Sequence, residues 1–217
     1  IVYKKLGKLH KANTHYEMAR EGWQKVNNAG ALASTLNNMG TIYQRLGQYD
    51  LALDVLNEGL KCAKDAGYLR MEACILIALA EVQRDSGHYK KAIKTYNQGL
   101  EISRNVMESY FIAYATAGLG RTYMLLGDNK KAEYLVEEAI NYAQEKGQQY
   151  DVSVFQLDLA IIRLSEGDLP NAEKIINQVT NKIIKTDDKD ALARVYYYSA
   201  KIAFYKKDYK ICTEYLS

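Results

Sequence analysis

The chain contains one proline in 217 residues. Most folds spend proline freely on their turns, so its near-absence points to long helices joined by short, glycine-containing connections. Cysteine is scarce as well: Cys62, Cys74 and Cys212 form no close-spaced pair, and an odd count in a helical chain reads as reduced, buried thiols rather than a disulfide framework. His10, His15 and His88 are too scattered for a metal-ligand pattern. Neither sign of charge dominates, with 29 basic against 26 acidic residues and a net charge of +3, which excludes a nucleic-acid surface spread over the whole chain. The excess sits at one end: between Lys182 and Ser217 there are eight Lys or Arg and five Asp or Glu, a difference of +3. No apolar run approaches the roughly eighteen residues of a membrane span and no signal peptide is visible, so a cytoplasmic location without membrane contact is expected. The first residue, Ile1, is not methionine, and a fragment of a longer protein is expected. With 48% hydrophobic and 25% charged residues the chain can bury a core, which excludes extended disorder.

What the chain has is a repeat. The stretch GQYDLALDVLNEGL at 47–60 returns as GHYKKAIKTYNQGL at 87–100, with Gly, Tyr, Ala, Gly and Leu in the same places. Glycine falls at Gly7, Gly47, Gly87, Gly127 and Gly167 with no drift from a period of 40, and alanine follows five residues later at Ala12, Ala52, Ala92, Ala132 and Ala172. A third small column holds Gly40, Ala80, Gly120, Ala160 and Ala200. Each unit carries two segments with apolar residues every three or four positions, such as Leu32, Leu36, Met39, Ile42, Tyr43 and Leu46, then Leu53, Leu56, Leu60 and Ala63. That is helical spacing, and alternation of period two is absent. The unit is a helical hairpin whose helices run about 15 to 17 residues, or about 24 Å. Small residues in fixed columns let the two helices of a hairpin approach closely. The Gly47 column fits a helix C-terminus in the left-handed conformation. Lys207 occupies that column in the last unit, so there either the turn differs or it carries strain of about 1 kcal/mol. Pro170 fits the first turn of a second helix.

One hairpin cannot bury its apolar face alone, so the hairpins must stack. The expected fold is all-α, a single α-solenoid over 1–217. Its partial hairpin at 1–28 is followed by full ones at 29–68, 69–108, 109–148 and 149–188 and a partial one at 189–217.

A small residue, Tyr three later, Gly four after that and Ala five after the Gly resembles the tetratricopeptide (TPR) repeat, and TLNNMGTIYQRLGQYDLALDVLNEGL, 35–60, is close to its consensus. The resemblance covers almost the whole chain and implies a right-handed superhelix of about five repeats. Two departures stand out: the tyrosine column reads Tyr43, Gln83, Tyr123, Arg163 and Ala203, and the period is 40 where 34 is usual. Longer repeats mark a subgroup that includes the sensor arms of large bacterial transcriptional activators, of LuxR-type and antibiotic-regulatory-protein type, and animal spindle-orientation scaffolds. EVQRDSGHYKKAIKTYNQGLEISRN and GLGRTYMLLGDNKKAEYLVEEA are similar to the bacterial activators. There the array implies a signal-sensing or partner-binding function, while nucleotide hydrolysis and DNA binding reside elsewhere. No GxxxxGK[ST] loop and no DNA-reading helix-turn-helix occurs in this chain.

In such a stack the first helices line the concave face. Counting 100° per residue away from the core column places Asn37, Asn38, Thr41 and Gln44 there, then Ile77, Glu81 and Arg84, then Tyr114, Arg121 and Met124, then Leu157 and Ile161. These are the candidate contacts for a ligand or partner. Asn37 and Asn38 with Arg84 and Arg121 resemble grooves that hold a peptide backbone or carboxylate, although the lysine–asparagine carboxylate clamp of some TPR proteins is not reproduced. Solvated polar residues are the competing reading. The apolar run Val154, Leu157, Ile161 and Leu164 either receives a partner or packs internally. Of Tyr196, Tyr197 and Tyr198, consecutive on a helix, at least one must face the core. No acid, base or nucleophile set converges, and Glu81, Arg84 and Asp85 are explained by helical ion pairing, so no enzyme and no cofactor is expected. Two functions stay open. One is a regulatory sensor for a peptide, protein or small-molecule effector; the other is a constitutive interaction or self-assembly scaffold.

Overall fold

A computed structural model describes residues 9–186 and 188–216, so Gly7 lies outside the described residues. Among the described residues there are eleven helices and no strand: α1 (Leu9–Lys25), α2 (Ala29–Arg45), α3 (Tyr49–Asp65), α4 (Leu69–Asp85), α5 (Tyr89–Asn105), α6 (Ser109–Leu125), α7 (Asn129–Glu145), α8 (Gln149–Ser165), α9 (Leu169–Ile183), α10 (Lys189–Tyr205) and α11 (Tyr209–Leu216). They form two compact units that divide inside α6, one ending at Gly118 and one beginning at Leu119.

One turn geometry punctuates the chain. After α2 the Gly47 amide donates to the Gln44 carbonyl at 3.0 Å and the Gln48 amide to Tyr43 at 2.9 Å, with Gly47 at φ 71°. This is a Schellman closure, which satisfies the last carbonyls of the helix. The same pair of bonds closes α3 at Gly67, α4 at Gly87, α7 at Gly147 and α8 at Gly167. The turn thus recurs every 20 residues, whereas the sequence repeat has a period of 40. Three residues with a β-carbon enter the same region: Asn27 at φ 52°, Met107 at φ 54° and Lys207 at φ 61°. Of the two readings open at Lys207, the structure selects the strained one, since the Lys207 and Asp208 amides bond to Phe204 and Ala203 in the usual pattern. Helix starts are capped by side chains at Asn28, Asp128, Asp168 and Asp188, and Pro170 sits in the first turn of α9.

In the first unit α1 packs on α2, α2 on α3, α3 on α4 and α4 on α5, while α2 also reaches α4. In the second, α7 to α11 pack in the same order and α8 touches α10. Within each unit, therefore, even-numbered helices lie side by side in one layer and odd-numbered helices in the other. The small columns sit at the crossings. A β-carbon on Gly40 would stand 2.4 Å from Cγ of Leu56 on α3, and one on Gly120 would stand 2.7 Å from Cγ2 of Val136 on α7. The first unit's core includes Ala33, Ala52, Leu56, Ile75, Leu79 and Val82. The second's includes Leu157, Ile161, Ile176, Val179, Val195 and Ile202.

None of the three cysteines is in a disulfide, and each is only partly buried, which corrects the expectation of buried cysteines. Burial, with Glu58 and Asp65 nearby, pushes the Cys62 thiol up from its ordinary value. It is therefore a weak nucleophile.

Candidate ligand face on the even-numbered helices

In the first unit, Asn37, Asn38, Thr41 and Gln44 on α2, Glu81 and Arg84 on α4 and Tyr114 on α6 are all partly exposed. Their hydrogen bonds separate them. Asn38 Nδ2 donates to the Ser34 carbonyl at 2.9 Å and Thr41 Oγ1 to the Asn37 carbonyl at 3.0 Å, so both side chains spend a donor on their own helix. Gln44 instead crosses to α4, where Nε2 donates to Asp85 Oδ2 at 2.7 Å. Arg84 grips the other oxygen of Asp85 through Nε at 2.9 Å and a terminal nitrogen at 2.8 Å. Its remaining arm donates to the Tyr96 hydroxyl at 3.1 Å. Tyr96 is a fully buried residue of α5 whose ring can pass beneath α6 because Gly118 has no β-carbon; one placed there would stand 2.5 Å from the ring.

Asn37 is different. Its Nδ2 finds only the Cys74 sulfur at 3.8 Å, and its Oδ1, closed off from solvent, accepts no hydrogen bond from the described residues. A buried, unbonded carbonyl costs about 1–3 kcal/mol, so this amide is held at a loss. Ile77 departs from its expected place on the ligand face. It is buried against α5, where a β-carbon on Gly99 would stand 3.2 Å from Ile77 Cγ1.

The second unit is organised around one buried carboxylate. Asp158 of α8 has a side chain only 1% exposed. Arg121 of α6 donates to its Oδ2 at 2.8 Å, and Arg194 of α10 donates to its Oδ1. Burial by itself would raise the Asp158 pKa, but the two guanidinium groups outweigh it and hold the carboxyl below its ordinary value. Burial pushes the hydroxyl of nearby Tyr198 up, and Arg194 offsets part of that rise. Tyr196 and Tyr197 are exposed while Tyr198 packs against the core, so the three tyrosines do not share one site.

Leu157 and Ile161 are corrections. Leu157 is 0% exposed and Ile161 8%, and with Leu164 they pack against Val195 and Ile202 in one cluster that Met124 joins from its partly buried position. Of the two readings left open for this strip, the structure shows internal packing. The 100° construction assumed that only one side of each first helix is covered, but α8 is flanked by α7, α9 and α10 together. Arg194 was missed as a candidate. Its signal lay in the spacing: Asn37 to Cys74 and Arg121 to Asp158 are 37 apart, and Asp158 to Arg194 are 36 apart. Each is one helical turn short of the repeat.

Among the described residues no group of three or more His, Cys, Asp or Glu could hold a metal ion, and no helix is long and apolar enough to cross a membrane.

The family model described as a MalT-like TPR region matches residues 6–188. Response regulator aspartate phosphatase A of Bacillus subtilis (strain 168) is 24% identical over 153 residues, covering 64% of this chain and 40% of that protein. The chain spans less than half the length of the curated relatives it matches. A Rap protein solved in complex with competence and sporulation factor aligns with a TM-score of 0.77 at 18% identity, over 99% of this chain and 70% of that one. NprR solved in complex with its cognate peptide NprX aligns with a TM-score of 0.75 at 16% identity, over 98% of this chain and 64% of that one. These likenesses show the TPR-type fold.

Proposed function

Since the chain belongs to the MalT-like TPR family, matched over residues 6–188, we propose that it is a non-catalytic sensing module. It takes a peptide, or an extended segment of a protein partner, on the even-helix face of its first unit. It serves as the cytoplasmic regulatory arm of a bacterial transcriptional regulator. The observation that carries this reading is Asn37, whose amide has neither a good acceptor for its N–H nor a donor for its carbonyl. The residue as a whole is partly exposed, so a turn about its Cβ–Cγ bond presents the amide to a bound backbone, whose peptide unit offers one donor and one acceptor. Gln44, Asp85 and Arg84 lie on the same two helices and frame the position with a fixed pattern of charge. Two proteins of the same fold, NprR with the peptide NprX and a Rap protein with competence and sporulation factor, support a peptide as the class of ligand. The MalT-like family supports the regulatory setting.

The test is selection of short random peptides displayed on phage, followed by calorimetry of the selected sequences on the parent and on Asn37→Ala. Asn37→Ala is expected to bind about tenfold more weakly, the worth of a pair of amide hydrogen bonds. Equal affinity of the two proteins overturns the assignment. A sensor gains thermal stability with a small ligand, whereas a constitutive scaffold has a midpoint that moves only with its protein partner or with protein concentration.

A further inference from the structure

The turns that lead from an odd helix into the next even one leave apolar side chains in solvent throughout the first unit. Val26, Tyr68, Leu69, Met107 and Tyr110 are all exposed there. Of the two matching turns of the second unit, the one after α9 exposes Ile184 but the one after α7 reads Lys146, Gly147, Gln148 and Gln149, so the turn itself does not require apolar residues. Met107 departs furthest. It is 86% exposed and adopts φ 54° where Gly67 and Gly147 occupy the same column. A left-handed conformation costs a residue with a β-carbon about 1–2 kcal/mol, and an exposed methionine returns nothing to folding. Two local penalties without a packing gain are the mark of a surface kept for binding.

The surface is continuous from turn to turn. The Tyr68 ring lies over Gly30, where a β-carbon would stand 2.7 Å from its Cε2. Beside it is a depression of about 440 Å³ lined by Gly30, Gly67, Tyr68, Leu69, Arg70 and Met71. Arg70 then joins the second turn to the third, since its guanidinium stands 5.5 Å over the Phe111 ring and its Nε donates to Glu108. Tyr110 continues the surface with its ring 4.3 Å from that of Tyr114. The Arg70 side chain is 68% exposed, and the hydrogen bond to Glu108 is made by Nε rather than by a terminal nitrogen. Phe111 and Glu108 thus fix the plane of the guanidinium, whose terminal nitrogens present the two parallel donors that suit a carboxylate. Methionine, tyrosine and arginine are also the residues enriched at the centres of protein interfaces.

We propose that this turn edge of the first unit is a second docking surface, which meets the even-helix face at Tyr114 but is centred on Arg70 and Met107. Its partner is a protein segment that carries a bulky apolar side chain next to a carboxylate. The apolar group enters the depression over Gly30 and Tyr68, the carboxylate meets Arg70, and Met107 covers the partner's flank.

Isotope-labelled protein is titrated with acetylated, amidated Gly-Phe-Asp-Gly, with Gly-Phe-Asn-Gly and Gly-Gly-Asp-Gly as controls, to about 5 mM, the range for one side-chain anchor and one ion pair. The amide resonances of Gly30, Gly67, Leu69 and Arg70 are expected to move saturably with the Phe-Asp peptide. The Asn peptide is expected to bind about two- to fivefold more weakly, the worth of an exposed ion pair. Arg70→Gln removes that difference while leaving the far-ultraviolet circular dichroism unchanged, and Met107→Ser weakens both Phe peptides. The proposal is overturned if those resonances stay still, if the Asp and Asn peptides bind the parent equally, or if the shifts fall only on the even-helix face.

Discussion

Asp158→Asn removes the one negative charge of a buried cluster and leaves Arg121 and Arg194 in place. In the parent each guanidinium holds one oxygen of a carboxylate that is 1% exposed. Breaking a buried ion pair by deleting one partner costs about 3–5 kcal/mol, mostly because the surviving charges have lost their compensation. Two survive here, and neither is fully exposed, so the upper part of that range is expected. Urea unfolding followed by circular dichroism should show a loss of about 4 kcal/mol, and a thermal midpoint lower by on the order of 10 °C. Trp23 is the only tryptophan and belongs to the first unit, so its fluorescence follows that unit separately from the whole-chain signal. A companion variant with Arg121→Met, Asp158→Leu and Arg194→Met should recover to within about 1 kcal/mol of the parent, because apolar packing commonly replaces a buried ionic cluster at no net cost. The sign with pH follows from the same groups. The folded-state pKa of Asp158 lies below its ordinary value of 3.8. Its stabilisation is therefore complete above that value and is lost as pH falls through the lower folded-state value. The parent should lose stability below about pH 4 more steeply than the apolar companion does. A stability of Asp158→Asn within 1 kcal/mol of the parent, in the range of an exposed pair, would refute the reasoning, as would parallel acid profiles for parent and companion.

Lys207→Gly keeps the closing bonds of α10 and removes left-handed strain at φ 61°. It should gain about 0.5–1 kcal/mol in chemical unfolding once the flexibility of glycine in the unfolded chain is offset. Gly40→Ala places a methyl group 2.4 Å from Leu56 Cγ and should cost about 1–3 kcal/mol by calorimetry; a neutral result would contradict the close crossing of α2 and α3. Asn37→Leu replaces an unsatisfied buried amide with an apolar group of similar size. It should raise the unfolding midpoint by a few degrees while abolishing binding of the selected peptides, and loss of both stability and binding would assign Asn37 to the fold instead.

The hairpins were legible because packing imposes the same demand at each crossing. Gly40 and Gly120 recur where a helix crosses its neighbour, and Gly47, Gly87 and Gly167 recur where the backbone enters a left-handed turn. The 20-residue spacing of those turns was hidden because the intervening column is filled unevenly, by Asn27, Gly67, Met107 and Gly147. Asparagine, methionine and glycine share no chemistry that a sequence scan would group together. What they share is one backbone conformation.

The ligand face was less legible because the side chains there answer to two layers of neighbours. A helical projection of α8 alone sets Leu157 and Ile161 opposite the hairpin core, yet the adjoining even helix α10 covers them with Val195 and Ile202. Phase within a helix shows which side a residue faces but not whether the next repeat already occupies that side. The cross-repeat bonds give that second coordinate. Because side chains lean toward the N-terminus of their helix, the partner of a residue lies one turn away from the position 40 residues on. Arg121 therefore meets Asp158 rather than Ile161, and Asp158 meets Arg194 rather than Tyr198. Scanned at 36–37 residues, the chain pairs opposite charges in the second unit and sets an amide against a thiol in the first. The difference between the units follows: where charges meet, both carboxylate oxygens of Asp158 accept a bond and the contact ties successive even helices together. Where Asn37 meets Cys74, the contact is weak, and the amide keeps hydrogen-bonding capacity for a ligand.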